Sequence, residues 1–112
     1  MFQHIEHIAI AAAEPTTLAH WYCNLLGFSM LRADDESQTY FIGLAGGGVL
    51  EILPANAARR VEHAAADAGI RHIALAVDDF GAAYQALQDQ GVHFVGPHYQ
   101  APDGKTRFDF FG

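Results

Sequence analysis

Two seven-residue segments that repeat each other constrain this chain more than anything else in it. The first is EHIAIAA, Glu6 to Ala12, and the second is RHIALAV, Arg71 to Val77. Each is followed by turn residues, a helical pattern, a glycine and a short apolar strand, so the chain reads as two copies of one supersecondary unit. In the first copy the helical apolar positions are Leu18, Trp21, Tyr22 and Leu25; in the second they are Phe80, Ala83, Tyr84 and Leu87. Both sets follow the i, i+3, i+4, i+7 spacing of a single buried helix face. Pro15 and Asp78/Asp79 suit helix starts, and Gly27 and Gly91 suit helix stops. The spacing predicts helices over Thr16–Leu26 and Asp79–Gln90.

A strand is expected after each helix, Phe28–Arg32 and Val92–Val95, then a turn from Asp34 or from Pro102-Asp103-Gly104, then a strand over Thr39–Leu44 or Lys105–Phe111. In the first copy a Gly46-Gly47-Gly48 turn leads into a last strand, Val49–Leu53. The unit is β-α-β-β-β. The expected class is α+β, with two such repeats forming curved mixed sheets around a cavity in a single domain over 1–112. Repeat one spans 1–53, an alanine-rich linker 54–69, helical near Ala57–Asp67, and repeat two 70–112. Aligning Thr39-Tyr40-Phe41 with Thr106-Arg107-Phe108 sets an offset of 67 residues, so the counterpart of Glu51 would fall near position 118, past Gly112. The last strand of the second repeat is therefore absent from this sequence. Its absence leaves strand donors and acceptors unpaired, and a C-terminal tail is expected in the natural protein.

Composition removes several function classes. With 51% hydrophobic and 17% charged residues in 112, the chain is too apolar to be disordered. No apolar run approaches the ~18 residues of a membrane span, and the N-terminus has no basic stretch before a continuous apolar one. A cytoplasmic protein is expected. The net charge is −7, and of the basic residues Arg32, Arg59, Arg60, Arg71, Lys105 and Arg107 only one pair is adjacent. That argues against nucleic acid and anionic membranes as partners. The lone Cys23 excludes an internal disulfide and a cysteine-rich zinc module, and it reads as a packing residue on the first helix.

Strand alternation then separates two faces. Ile8 and Ile10, like Ile73, Leu75 and Val77, form bulky faces that suit packing against a helix. The opposite faces carry a histidine followed by small residues: His7, Ala9, Ala11 and His72, Ala74, Ala76. In the last strand Leu50 and Ile52 point one way and Val49, Glu51 and Leu53 the other. A glutamate flanked by apolar residues needs a partner. His7, His72 and Glu51 are thus candidates for one site, and two imidazoles with a carboxylate suit a divalent Zn, Ni, Co, Mn or Fe ion. Taken singly, a strand histidine is more often structural; recurrence at matched positions of two repeats favours ligands. His4, His20, His63, His93 and His98 lack such a match and read as surface or packing residues. Trp21 and Tyr22 read as core, and one of Tyr40 and Phe41 lines the cavity.

The segments IEHIAIAA, LAHWYCNLLGF, GGGVLEIL, RHIALAVDDFGAAYQALQDQGVHF and APDGKTRFDFFG together resemble the vicinal oxygen chelate superfamily. That group includes glyoxalase I, methylmalonyl-CoA epimerase, extradiol dioxygenases, and fosfomycin and bleomycin resistance proteins. The resemblance implies two β-α-β-β-β units around a cavity, commonly completed by a homodimer. It also implies metal ligands at the first-strand histidine and last-strand acid of each unit: His7, Glu51 and His72, with a fourth beyond Gly112. An acid at Glu51 is similar to the glyoxalase pattern rather than that of the dioxygenases and fosfomycin-resistance members; epimerases usually carry glutamine there. Gln3 and His4 stand where glutathione-binding members carry an arginine, which argues against a glutathione substrate. The resemblance therefore implies a metal-dependent, glyoxalase-like lyase or isomerase. It would act by proton transfer alpha to a carbonyl on a small vicinal-oxygen substrate, with Glu51 as catalytic base. The alternatives are a metal-free, bleomycin-resistance-like binding protein, or an epimerase or dioxygenase of the same superfamily.

Overall fold

A computed structural model describes residues 1–57, 63–64, 66–96, 99–100 and 107–111. The chain divides into two compact units, 1–62 and 63–112, and the division falls inside the segment 54–69.

The first unit is a β-α-β-β-β arrangement. Strand β1 (Ile8–Ala12) leads into helix α1 (Pro15–Leu26), and β2 (Ser29–Asp34), β3 (Thr39–Gly43) and β4 (Val49–Pro54) follow. The sheet order is β1-β4-β3-β2. β1 runs parallel to β4, as a crossover through a helix requires, while β4–β3 and β3–β2 are antiparallel. The sheet is mixed, and among the described residues β1 has β4 as its one neighbour. Ala55 extends that ladder by donating its N–H to the Ala12 carbonyl at 2.8 Å.

Pro15 opens α1, where its missing N–H costs nothing. Gly27 closes it at φ 75°, a conformation glycine adopts without a Cβ penalty, with its N–H on the Tyr22 carbonyl. The core is Ala19, Phe28, Tyr40, Ile42, Leu50 and Ile52, with Ile8, Ile10, Leu18, Tyr22, Cys23 and Leu26 packed against it. Leu50 and Ile52 face α1 as the alternation predicts. The helix face differs from the expected stripe. Its centre is Ala19, fully buried, flanked by buried Pro15, and the stripe runs on through Tyr22 and Leu26, whereas Trp21 and Leu25 are half-buried at its margin. A methyl at the contact point lets the helix lie close on the sheet, and an indole there would hold it off. Tyr40 is buried by its ring, and its hydroxyl bonds Thr16 Oγ1 at 2.8 Å and donates to Asp35 Oδ1 at 3.0 Å, tying the start of α1 to the β2–β3 turn. That turn is nucleated by Asp34, whose Oδ1 accepts from the backbone N–H of Glu36 and Ser37.

In the second unit, helix α2 (Phe80–Asp89) begins where Asp79 Oδ1 accepts the Ala82 N–H at 3.0 Å. Its least exposed positions are Phe80, Ala83, Tyr84 and Leu87, the predicted stripe. Gly91 stops it at φ 87°. Aromatic rings make up the packing: Phe80 on Tyr84, Tyr84 on Phe94 at 4.2 Å, and Phe94 on Phe111 at 5.4 Å. Strands β5 (Tyr99–Gln100) and β6 (Arg107–Phe108) pair antiparallel, and Phe94 and Phe111 form an isolated bridge.

The second unit departs from the expected repeat in its strands. Arg71–Val77 is described but forms no strand, and Ile73, Leu75 and Val77 are exposed at 37%, 37% and 53%. A strand exists by hydrogen-bonding to a neighbour, as β1 does to β4, and among the described residues Arg71–Val77 has no such neighbour. Among the described residues Val92–Val95 contributes the Phe94 bridge, and in the range 107–111 Arg107, Phe108 and Phe111 are paired. The helix expected near Ala57–Asp67 and the turn at Pro102–Gly104 fall mostly or wholly outside the described residues.

Candidate functional site

The site face of the first unit is the side of the sheet away from α1. Two register pairs build it. Ala9 lies opposite Glu51 across the β1–β4 ladder, and Phe41 lies opposite Glu51 across β3–β4. Residues directly opposite share a face, so Ala9, Glu51 and Phe41 form one row. The alanine leaves the space above β1 open. His7 stands one residue ahead of β1 and on the same face by alternation.

The imidazole reaches over this row. His7 Nε2 lies 3.6 Å from Glu51 Oε1, with the two side chains 34% and 23% exposed. Its ring meets the Phe41 ring edge-on at 5.5 Å between centroids. The other nitrogen, Nδ1, contacts Glu6 Oε2 in a close hydrogen bond. Because the Glu6 carboxylate can only accept, the Nδ1 proton belongs to that bond, which leaves Nε2 as the nitrogen that faces Glu51.

The third expected ligand, His72, stands in the second unit. It packs edge-on against Phe110 at 5.7 Å and borders an open pocket of about 400 Å³ lined by His63, Ala64, Arg71, His72 and Phe110. Arg71 Nη1 is held on the Ala64 carbonyl at 3.2 Å, and His63 Nδ1 lies 3.8 Å from Asp67. Within either unit, no three His, Cys, Asp or Glu side chains among the described residues form a group able to hold a metal ion. Within the first unit the structure brings together His7 and Glu51.

Of the pair Tyr40 and Phe41, Phe41 is the one on the site face. Glu6 is a partner that sequence reasoning missed, although its position next to His7 in EHIAIAA offered a signal. Cys23 is half-buried, and burial raises its thiol pKa, which suits a packing residue and disfavours the nucleophilic thiolate. Among the described residues no helix is long and apolar enough to cross a membrane.

Residues 4–111 match the Glyoxalase/Bleomycin resistance protein/Dioxygenase superfamily. The chain belongs to that superfamily. A relative, the uncharacterised protein YaeR of Escherichia coli (strain K12), is 31% identical over 119 aligned positions, covering 96% of this chain and 85% of YaeR. The glyoxalase family protein from Enterococcus faecalis has the same fold, with a TM-score of 0.78 at 24% identity over 98% of this chain and 89% of its own. So does the fosfomycin resistance protein FosX from Listeria monocytogenes, solved with Mn(II) and 1S,2S-dihydroxypropylphosphonic acid, at a TM-score of 0.71 and 16% identity over 99% of this chain and 82% of its own. The superfamily's α+β architecture is what the first unit's mixed sheet and the two helices display.

Proposed function

We propose that this chain is a metal-dependent, glyoxalase-like lyase or isomerase that moves a proton alpha to a carbonyl on a small substrate with two neighbouring oxygens. One observation carries the reading: His7 Nε2 and Glu51 Oε1 face each other at 3.6 Å with Nδ1 of the same ring already committed to Glu6. Ligands at bond lengths of ~2.1 Å around a tetrahedral centre are about 3.4 Å apart, so the separation fits two corners of one coordination shell. The donor set, an imidazole and a carboxylate, suits Zn, Ni, Co, Mn or Fe, and the Mn(II) bound to the FosX neighbour is in keeping with that choice. His72 is the third ligand in this reading.

The chain's own residues divide the work. Glu6 fixes the tautomer and aim of His7, the role a carboxylate plays behind a ligating histidine. Ala9 and Ala11 leave substrate room above β1, and Phe41 walls the site from bulk water on the β3 side. Glu51 takes the proton from the carbon and returns it, a task for a carboxylate in a half-apolar setting. A bound divalent ion supplies Lewis acidity to the two neighbouring substrate oxygens. The same reading makes 1–112 one functional domain of two repeats, acting as a cytoplasmic homodimer on a small molecule and on no nucleic acid.

Metal analysis of purified protein tests it. His7→Ala, Glu51→Gln and His72→Ala are each expected to lower the content of bound divalent metal, with His20→Ala, on the exposed side of α1, unchanged. Turnover on a panel of alpha-hydroxycarbonyl compounds should fall together with the metal. Metal near zero in the parent, or equal in all three variants, sinks the ligand assignment and leaves a metal-free binding protein.

A further inference from the structure

The geometry points to Arg32 as the residue that recognises an anionic group on the substrate, at the open end of the same row that holds Glu51. This rests on the reading of the His7–Glu51 face as the substrate site. Strand β2 starts in regular register, with Ser29 opposite Gly43 and Met30 opposite Ile42. Continued, that register would set Leu31 against Phe41 and turn Arg32 toward the helix side with Tyr40. A bulge between Met30 and Arg32 prevents this. Leu31 is left without a partner, and Arg32 lies opposite Phe41. One inserted residue has re-aimed an arginine onto the site face, which is what bulges beside functional sites do. Gly43 accommodates it, because a Cβ there would sit 2.9 Å from Leu31 Cδ1.

The guanidinium lies over the Phe41 ring, 5.0 Å from its centre, and the His7 ring lies 5.5 Å from the same centre. The guanidinium carbon and the imidazole centre are therefore at most 10.5 Å apart. A short carbon chain with a hydrogen-bonded carboxylate at one end and its neighbouring oxygens at the other spans that gap. Among the described residues no carboxylate lies within 4.0 Å of Arg32. The nearby Asp34 is hydrogen-bonded to the Glu36 and Ser37 backbone, and the charge of Arg32 is the least of the influences that hold its carboxyl low. Five donors in a fixed fork thus stand at the end of a row whose other members are Ala9, Glu51 and Phe41, on a chain whose net charge is −7. The ligand class is a small molecule with two vicinal oxygens and a distal carboxylate or similar oxyanion.

Isothermal titration of the full chain with Mn(II) present, using 2-hydroxyglutarate and 2-hydroxypentanoate, tests the assignment. The two probes share the hydroxy-acid head and differ in the distal carboxylate. The parent should bind the diacid about tenfold more tightly, the effect of one charge-assisted contact at a half-open site. Arg32→Gln should erase that preference and leave 2-hydroxypentanoate binding unchanged, and Arg32→Lys should retain part of it. Absence of a preference in the parent, or an undiminished preference in Arg32→Gln, overturns the inference. Metal content separates the two readings. If His7→Ala and Glu51→Gln keep their metal while diacid selectivity still depends on Arg32, the metal assignment falls and Arg32 stands.

Discussion

The bond from His7 Nδ1 to Glu6 makes a graded prediction about metal affinity. Replacing the partner of a ligating histidine typically weakens binding by about 10–100-fold, because the ring loses its fixed tautomer and some basicity. Glu6 is 74% exposed at its side chain, so water and salt screen its charge and the lower end of that range applies. Glu6→Ala should therefore weaken Zn(II) binding by about tenfold, or ~1.4 kcal/mol. Glu6→Gln keeps an acceptor oxygen for the Nδ1 proton and gives up only the charge, so its loss should be smaller, about threefold. Competition with a chromophoric chelator measures both. High salt should narrow the gap between parent and Glu6→Gln while leaving most of the Glu6→Ala deficit in place. Parent-like affinity in Glu6→Ala would show that Glu6 does not orient the ring. A loss as complete as that of His7→Ala would show that Glu6 is itself a ligand.

Two further predictions concern the scaffold. Ile52 is fully buried in the central strand β4, between Ile10 and Tyr40, so Ile52→Ala should lower unfolding free energy by about 2–5 kcal/mol in urea titrations followed by circular dichroism; parent-like stability would mean that β4 does not carry the core. The Asp34 carboxyl is held below its ordinary pKa, first by hydrogen bonds from Ser37, and a carboxyl depressed on folding contributes stability that is present above its unfolded value and lost as pH falls through the folded one. The acid side of the stability profile should accordingly be flatter in Asp34→Asn than in the parent, and identical acid transitions would refute the turn's role.

How far the sequence could be read follows from which interactions are local. The helices were legible because their ends rest on nearby residues: Pro15 and Gly27 for α1, Asp79 and Gly91 for α2. The strand faces of the first unit were legible because alternation is a local rule: it set His7, Ala9 and Glu51 apart from the bulky faces that pack on α1, but it left Tyr40 and Phe41 undecided until the register with β4 was known. The centre of the helix contact at Ala19 was not legible, since large residues draw attention in a periodic pattern while a close helix–sheet approach favours a small one. Arg71–Val77 repeats the β1 sequence closely and still forms no strand, because a strand is completed by hydrogen bonds to a neighbour and a local repeat does not specify one. The Met30/Arg32 bulge was hidden for a related reason. No residue type marks it, and it exists only as a difference in length between two paired strands.

The sheet order also explains why the site residues are scattered along the chain. A central strand with neighbours on both sides is the only kind that can anchor a row reaching in two directions. β4 is such a strand, pairing with β1 and β3, and the row Ala9–Glu51–Phe41–Arg32 takes one residue from each of the four strands. In sequence these lie in the order 9, 32, 41, 51; in space Glu51, the last of them, comes second. The parallel β1–β4 pair, which needs α1 as its crossover, brings the N-terminal histidine beside the carboxylate. The antiparallel β4–β3–β2 run then carries the row outward to the edge, where strand pairing is weakest and one extra residue is most easily accommodated. A polar anchor near the centre, a small residue on one side and a re-aimed cation at the open edge follow from this one topology. The same four strands in another order would keep each local pattern and lose the site.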